Sequence, residues 1–257
     1  MPTELKNWQI KVNFDIICQE FFMNREDFLL QNVQNLQKAL CAAQHRSRHH
    51  LPEADFMAVT KYAADEDVLF LLEKGLIRHI GESRIQQAEK RWTRAEFIKY
   101  TAVKKHFIGH LQKNKAAKAA RLFDFIDSLD CIETARILSE KTHPNKTIRV
   151  MVQIKLTDKN SQTGLPLTEA RMLAKELQTL PRLKVCGYMA IAPQNADEKT
   201  LRRLFGEIKK AFDEDFPSGT ERYLSLGMSE DFYIAVEEGS SLPRVGSKLF
   251  AENLEGL

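Results

Sequence analysis

One lysine in the first quarter of the chain stands where it could attack an aldehyde. Lys61 follows the apolar run 56–59 with only Thr60 between them, and the run has the composition of a buried strand that would carry the lysine at its carboxyl end. A lysine that is partly desolvated at such a place is a good amine nucleophile. Taken alone, however, Lys61 is better explained as a surface lysine at a strand end.

Two glycine–serine elements late in the chain have the composition of phosphate-binding turns. The first, Leu224–Asp231, turns through Gly227 toward a segment that Ser229 would cap. The second ends on Gly246 and Ser247 just before a short helix, 248–250. Glycine lets backbone N–H groups approach an anion, and a helix N-terminus favours negative charge. Either turn alone is weak evidence for a phosphate site. Two such turns at the last two strand ends favour a bound phosphate about as strongly as they favour plain turns.

Arg244 comes two residues before the second of these turns. It could close the barrel through a salt bridge, or it could present a permanent cation and hydrogen-bond donor to a ligand.

Other chemistries find little support. The sequence contains no GxxxxGK[ST] loop, no GxSxG elbow and no HExxH helix. His106 and His110 are four residues apart but lie on or just past a strand, and His49 and His50 fall in a basic loop. The four cysteines form no CxxC pair, so we expect neither a metal nor a disulfide framework.

These residues are positioned by alternating strands and helices. The helix Asn24–Ala43 repeats its apolar residues with a period near 3.6. Eight short apolar runs then predict strands: Phe56–Thr60, Ile77–Ile80, His106–Ile108, Phe125–Ser128, Ile148–Ile154, Val185–Ala190, Tyr223–Leu226 and Pro243–Val245. Amphipathic segments between them predict helices: Asp65–Lys74, Ile85–Arg91, Lys113–Leu122, Ile132–Lys141, Leu167–Thr179, Glu198–Phe212 and Glu230–Glu238.

Eight strands separated by helices predict an α/β fold, a single (β/α)8 TIM-type barrel with an extra N-terminal helix. An open doubly wound sheet is the alternative, but it usually has a glycine-rich turn after its first strand, where this chain has Thr60-Lys61-Tyr62. We expect one domain over residues 1–257, with no role assigned to the extension 1–23.

Composition narrows the choice of partner and compartment. Hydrophobic residues make up 43% of the 257, charged residues 28%, and the net charge is only +3. No run approaches the length of a membrane span and no leader pattern opens the chain, so we expect a cytoplasmic protein that binds neither membrane nor nucleic acid. One basic stretch is predicted to be a solvated helix face rather than an anion contact: Lys113, Lys115, Lys118 and Arg121.

Six segments occur in the order of a known family. They read AVTKYA, HIGESRIQQAEKRW, HFIGHLQKNKAAKAARLFDFIDSLD, GYMAIAPQ, LSLGMSEDFYIAVEEG and PRVGSKLF, and span about Phe56 to Phe250. In them the chain resembles the standalone pyridoxal-phosphate homeostasis proteins, also described as proline synthase co-transcribed homologues. These are similar to the N-terminal barrel domain of alanine racemase.

The resemblance implies that pyridoxal 5′-phosphate is held as an internal aldimine on Lys61, with Arg244 facing the pyridine nitrogen. It further implies phosphate or nearby cofactor contacts from a larger set: Ser83, Ser225, Gly227, Met228, Gly246 and Ser247. Ser83 stands where the family usually has asparagine, so a contact near the cofactor's hydroxyl group is changed here.

The same resemblance argues against turnover. An arginine at the ring nitrogen keeps that nitrogen unprotonated and weakens the ring as an electron sink. Racemases of this architecture also use a tyrosine from a second domain, and only seven residues follow Phe250. We therefore expect a monomeric carrier that buffers the cofactor, keeps its homeostasis and hands it to apo-enzymes, with no catalytic or metal-binding residues.

Two other functions stay open on the sequence alone. One is an active pyridoxal-phosphate enzyme, a racemase or decarboxylase, with Tyr62 or His110 as its base. The other is a phosphate-binding barrel enzyme of another class, in which Lys61 reacts with a sugar phosphate or has no role.

Overall fold

The computed structural model describes residues 24–49, 54–157 and 163–251. The extension 1–23 and the loop residue His50 therefore lie outside the described residues.

Eight parallel strands form one sheet with the order β7-β6-β5-β4-β3-β2-β1-β8. Their bounds are β1 Met57–Val59, β2 His79–Glu82, β3 Lys104–Phe107, β4 Phe125–Leu129, β5 Ile148–Ile154, β6 Leu183–Ala190, β7 Tyr223–Ser225 and β8 Arg244–Val245. Apart from β8, which returns to pair with β1, each strand pairs with its neighbour in the chain, as a barrel requires. The predicted (β/α)8 barrel is confirmed.

The barrel closes between β7 and β8 through backbone hydrogen bonds of the segment that leads into β8. Ser241 N–H donates to Leu224 O at 3.0 Å, and Arg244 N–H donates to Gly227 O at 3.0 Å. On its other side β8 is in register with β1, with Met57 opposite Arg244. The two late glycine–serine turns and the first strand therefore meet where β7, β8 and β1 adjoin, a region that we call the seam.

Helices surround the sheet, and most of them follow a strand. They are α1 Arg25–Arg46, α2 Asp65–Glu73, α3 Ile85–Trp92, α4 Ala95–Ile98, α5 Ala116–Leu122, α6 Ile132–Lys141, α7 Leu167–Leu177, α8 Glu198–Asp215, α9 Phe232–Glu237 and α10 Ser247–Phe250. A 3₁₀ turn, Lys113–Lys115, precedes α5.

The N-terminal helix α1 covers the seam. Asn24 caps it by accepting from Asp27 N–H at 2.9 Å. Its predicted apolar stripe is buried, and the amide of Asn32 within that stripe donates to Leu249 O at 3.1 Å. Arg25 clamps the start of α1 to Asp67 of α2, with Nη2 2.6 Å from Oδ2. The helix thus holds α2 and α10 on either side of the first strand.

Several element bounds differ from the sequence prediction. Strand β2 begins at His79 rather than Ile77 and includes Glu82, which hydrophobicity alone would leave in a loop. Glu82 can be part of the strand because its backbone O accepts from Ile108 N–H at 3.0 Å and a buried arginine meets its carboxylate. The helix α2 starts at Asp65 as predicted, whereas α9 starts at Phe232, beyond Ser229, which was expected to cap it.

Two apolar cores lie on the two sides of the sheet. The larger packs helices onto its outer face. The smaller fills the barrel with Met57, Phe125, Met151, Cys186, Met189 and Leu242. None of the helices in the described ranges is long and apolar enough to cross a membrane.

Candidate functional site

Lys61 lies at the carboxyl end of β1, in the turn that leads to α2. Thr60, the residue before it, is buried and donates its N–H to Gly81 O at 3.2 Å, so the chain stays in the sheet up to that point. Lys61 itself is exposed, with Nζ 5.1 Å from the ring centroid of Tyr62, and its backbone O accepts from Gln87. The sequence suggested that the Lys61 side chain is partly desolvated, and this is wrong, because the buried part of the strand ends at Thr60.

The second glycine–serine turn lies beside this lysine. Ala58 is opposite Val245 in the β1–β8 register, so Gly246 follows at the level of Val59. A Cβ on Gly246 would come to 3.3 Å from Val59 O, which means that the two strand ends approach closely because residue 246 is glycine. Ser247 begins α10, in which Leu249 and Phe250 N–H donate to Gly246 O at 3.0 Å each, whereas no described residue accepts from the N–H groups of Ser247 and Lys248. These amides are available to an anion next to Lys61.

The first glycine–serine turn is rigid. Gly227 has a φ of +85°, and a Cβ on it would come to 2.6 Å from Ala235 Cβ, so glycine is needed there for both conformation and space. Met228, a predicted cofactor contact, donates its N–H to Asp231 Oδ1 at 2.6 Å, so its backbone amide is already bonded within the turn. Met228 is 40% exposed at the barrel mouth, which is the end of the barrel where the carboxyl ends of the parallel strands lie. Burial raises the pKa of Asp231, whereas the Met228 amide and Arg244 lower it.

The two serines of this turn have different surroundings. Ser225 is buried; its hydroxyl donates to Leu242 O at 2.9 Å and accepts from Arg244 Nη1 at 2.9 Å. The hydroxyl of Ser229 instead accepts from Gly246 N–H at 3.4 Å, where the two turns meet. Sequence reasoning gave Ser229 only a capping role and assigned the phosphate contact to Ser225. That contact stays a prediction, but the geometry favours Ser229 for it.

Arg244 lies inside the barrel and is 4% exposed. Its guanidinium donates to Ser225 O at 2.7 Å and to Ala190 O at 2.8 Å, in addition to the Ser225 hydroxyl. Burial lowers the pKa of Arg244 to about 10, which leaves it a cation at neutral pH. Since a guanidinium has five N–H donors, these three bonds leave others for a ligand.

Ser83 follows β2 and faces the end of β3. It is half-buried, and its backbone O lies 2.3 Å from the position that a Cβ on Gly109 would take. Glycine at 109 thus lets β3 end directly against Ser83. His110 and Tyr62, the two bases considered for an enzyme, have exposed side chains, at 51% and 80% respectively.

Sequence analysis did not predict the buried ionic cluster that lies beneath the barrel mouth. Arg91 of α3 is 3% exposed, with Nη1 2.6 Å from Glu82 Oε1 and 2.9 Å from the Thr60 hydroxyl. Its Nε donates to Asp65 at 2.7 Å. The second oxygen of Glu82 is buried and accepts no hydrogen bond from any residue that the structure describes; burial raises the pKa of Glu82, while Arg91 opposes that rise. In the sequence, the sign of this cluster is the charged residue Glu82 directly after Gly81.

The predicted site residues fall into one group around the seam and one beside it. Lys61, Gly246 and Ser247 gather at the ends of β1 and β8, and the turn that contains Gly227 adjoins them through Ser229, which was not among the predicted site residues. Ser83 lies one strand further, after β2. No cluster of metal-ligating side chains occurs within the described ranges.

The chain is similar in sequence to characterised families. The family model described as "Alanine racemase, N-terminal domain" matches residues 32–253. The pyridoxal phosphate homeostasis protein of Pasteurella multocida is 32% identical over 239 residues, covering 89% of this chain and 97% of that protein. The protein of the same name from Synechocystis is 34% identical over 211 residues, covering 79% and 93%.

Solved structures agree on the fold. PipY of Synechococcus elongatus, in a structure described as having PLP bound, superposes with a TM-score of 0.69 at 28% identity, covering 83% of this chain and 99% of that one. A Clostridium difficile alanine racemase gives a TM-score of 0.64 at 15% identity, covering 90% and 57%, and so shares the fold alone.

Proposed function

Because the chain belongs to the alanine racemase N-terminal domain family, and within it to the pyridoxal phosphate homeostasis proteins, we propose that it binds pyridoxal 5′-phosphate reversibly and buffers its free level. The observation that carries the proposal is the register of β1 with β8. It puts a lysine amine and a glycine–serine anion cradle on adjacent strand ends.

The residues at the seam fit such a cofactor. An aldehyde needs an accessible amine, and the Lys61 side chain is exposed at the mouth. A phosphate needs converging donors. The Ser229 hydroxyl accepts from Gly246 N–H at 3.4 Å beside the first turn of α10, and its own O–H is a donor at that place. Bound pyridoxal phosphate supplies an aldehyde that reacts reversibly with amines and a ring that can withdraw electrons. Lys61 would hold the aldehyde carbon, and Ser229, Gly246 and Ser247 would hold the phosphate.

Arg244 would face the ring nitrogen from inside the barrel. Its side chain is fixed by Ser225 and Ala190, so it can present an N–H donor in one direction only. A nitrogen that accepts a hydrogen bond from a guanidinium keeps its lone pair unprotonated, and an unprotonated ring withdraws electrons poorly. This supports a cofactor-binding regulator rather than a racemase or decarboxylase. The solvent exposure of Tyr62 and His110 points the same way, because an exposed base is not held against a substrate.

The expected partners are pyridoxal phosphate itself and apo-enzymes that receive it, with the carrier acting as a monomer in the cytoplasm. An exposed lysine linkage is consistent with transfer, since a competing amine can reach it.

Spectroscopic titration tests the proposal. Apo-protein titrated with pyridoxal phosphate is expected to develop a visible absorption band, and the Lys61→Ala variant is expected not to. Loaded protein mixed with an apo-aminotransferase is expected to restore that enzyme's activity. Incubation with single-enantiomer amino acids in deuterated water then measures turnover. Exchange of the α-proton at rates typical of enzymes, about 1 per second or faster, would contradict a non-catalytic role.

A further inference from the structure

The turn that carries Lys61 has few hydrogen bonds of its own. In residues 60–65, which we call the Lys61 turn, Ala63 N–H donates to Thr60 O at 3.2 Å, and no described strand bonds to the Lys61 backbone. The backbone O of Lys61 instead accepts from Gln87 Nε2 of α3 at 3.1 Å. Because the lysine side chain is a flexible four-carbon stem, its amine can be placed only as well as this backbone is held.

Arg91, one helical turn further along α3, holds the rest of the Lys61 turn. Its Nη1 donates to the Thr60 hydroxyl at 2.9 Å, and its Nη2 donates to Ala63 O at 3.4 Å. Its Nε donates to Asp65 Oδ1 at 2.7 Å. Residues four apart on a helix project from one face, which lets Gln87 and Arg91 contact the same turn together. The turn is thereby bonded to α3 before, at and after the lysine.

Glu82 fixes the guanidinium that makes these contacts. Both side chains are buried, and Arg91 Nη1 lies 2.6 Å from Glu82 Oε1. A buried ion pair of this kind resists separation, because each charge would be left unpaired in the interior. Glu82 is also the last residue of β2, the strand that pairs with β1. The sheet therefore holds Arg91, and Arg91 and Gln87 hold the Lys61 turn against the sheet.

We propose that Gln87 and Arg91 are positioning residues for Lys61, through which helix α3 determines where the lysine amine meets an aldehyde. The bond that forms joins Lys61 Nζ to the aldehyde carbon, and the aldehyde oxygen leaves as water with the two protons of the neutral amine. Neither residue needs to contact the aldehyde, because both act on the backbone from which the amine projects. The use of this placement for pyridoxal phosphate rests on the proposed function, whereas the hold on the turn does not.

Paired calorimetric titrations of Gln87→Leu separate this role from a general loss of structure. Pyridoxal 5′-phosphate carries the aldehyde, whereas pyridoxine 5′-phosphate carries an alcohol in its place and cannot react with an amine. We expect Gln87→Leu to weaken binding of the aldehyde about fivefold, the usual effect of one neutral hydrogen bond, and to leave binding of the alcohol within about twofold of wild type.

Gln86→Leu is the matched control for these titrations. It changes the same residue type one position earlier on α3, where the side chain is exposed, and should leave the binding of both ligands within about twofold of wild type. Equal losses for both ligands in Gln87→Leu, or no loss for either, would overturn the proposal.

Hydrogen exchange on the cofactor-free protein tests the hold on the turn itself. The Ala63 amide, which bonds within the turn, should exchange about fivefold faster in Gln87→Leu than in wild type or Gln86→Leu, as measured by NMR. Arg91→Lys, which keeps the positive charge but loses the forked contacts, should accelerate it at least as much. Unchanged exchange in both variants would overturn the proposal. Faster exchange in the variants of a protein whose wild type binds no pyridoxal phosphate would contradict the proposed function and leave this inference intact.

Discussion

The guanidinium of Arg244 donates to both oxygens of Ser225, the backbone O at 2.7 Å and the hydroxyl at 2.9 Å. Ser225 is therefore part of the support that holds the arginine, and the hydroxyl nearest the anion cradle belongs to Ser229. The two serines of the first glycine–serine turn therefore have different roles: Ser225 orients the cation below the site, and Ser229 faces the seam.

The two serines are expected to respond differently to alanine substitution. Ser229→Ala should weaken pyridoxal phosphate binding by about 1.5–3 kcal/mol, the usual value of a hydrogen bond to a charged group. Ser225→Ala should instead lower the free energy of unfolding by about 1.5–3 kcal/mol, because it removes the buried hydroxyl that accepts from the Arg244 guanidinium and donates to Leu242 O. Absorption titrations and denaturant unfolding of both variants measure these effects. A larger loss of affinity in Ser225→Ala than in Ser229→Ala would show that Ser225, rather than Ser229, contacts the phosphate.

The buried cluster around Arg91 is expected to be a major source of stability at the mouth. Arg91→Met leaves the Glu82 carboxylate buried and unpaired, and should lower the free energy of unfolding by about 3–5 kcal/mol. Arg94 is the matched control: it binds the same Asp65 but is 38% exposed, so Arg94→Met should have a much smaller effect on the free energy of unfolding. Adding Glu82→Gln to Arg91→Met should recover part of the loss. Equal effects of the two arginine substitutions would show that burial of the pair is unimportant.

Stability should fall on mild acidification because of His79. Burial, together with the neighbouring His106, lowers its pKa to about 2 in the folded protein from near 6.5 when unfolded, so between these values the unfolded chain binds one more proton. The stabilising contribution is complete above pH 6.5 and is lost as the pH falls toward 2, by about 2 kcal/mol between pH 7 and pH 5. Unfolding of wild type and His79→Phe across this range measures the difference. The same slope in both proteins would contradict the assignment to His79.

The amphipathic and apolar elements were predictable because one face of each packs on the sheet. Strand β5, Ile148–Ile154, agrees at both ends with its predicted bounds, and α1 buries the stripe that its 3.6-residue period indicates. Such patterns depend only on residues that are close together in the sequence, and the same reasoning placed Lys61 at the end of β1. They could not place Glu82 in a strand, since its partner Arg91 belongs to the next helix.

The polar interior was not predictable in the same way. His79, His106 and Asp127 are buried and hydrogen-bonded in a row, but they are 27 and 21 residues apart in sequence, and each looks in its own strand like an ordinary polar interruption. Their pairing exists only once three strands are side by side. The same limit explains the exchange of roles between Ser225 and Ser229, because the distance to Gly246 depends on how the barrel closes.

Chemical trapping on Lys61 tests the central claim most directly. Protein incubated with pyridoxal phosphate is reduced with borohydride, digested and mapped by mass spectrometry. The added mass is expected on the peptide that contains Lys61 and to be absent from Lys61→Ala. The lysines of the basic stretch near the mouth, Lys113 and Lys115, should stay unmodified at stoichiometric cofactor. Modification spread over surface lysines, or persisting in Lys61→Ala at the same stoichiometry, would contradict the assignment of Lys61 as the anchor.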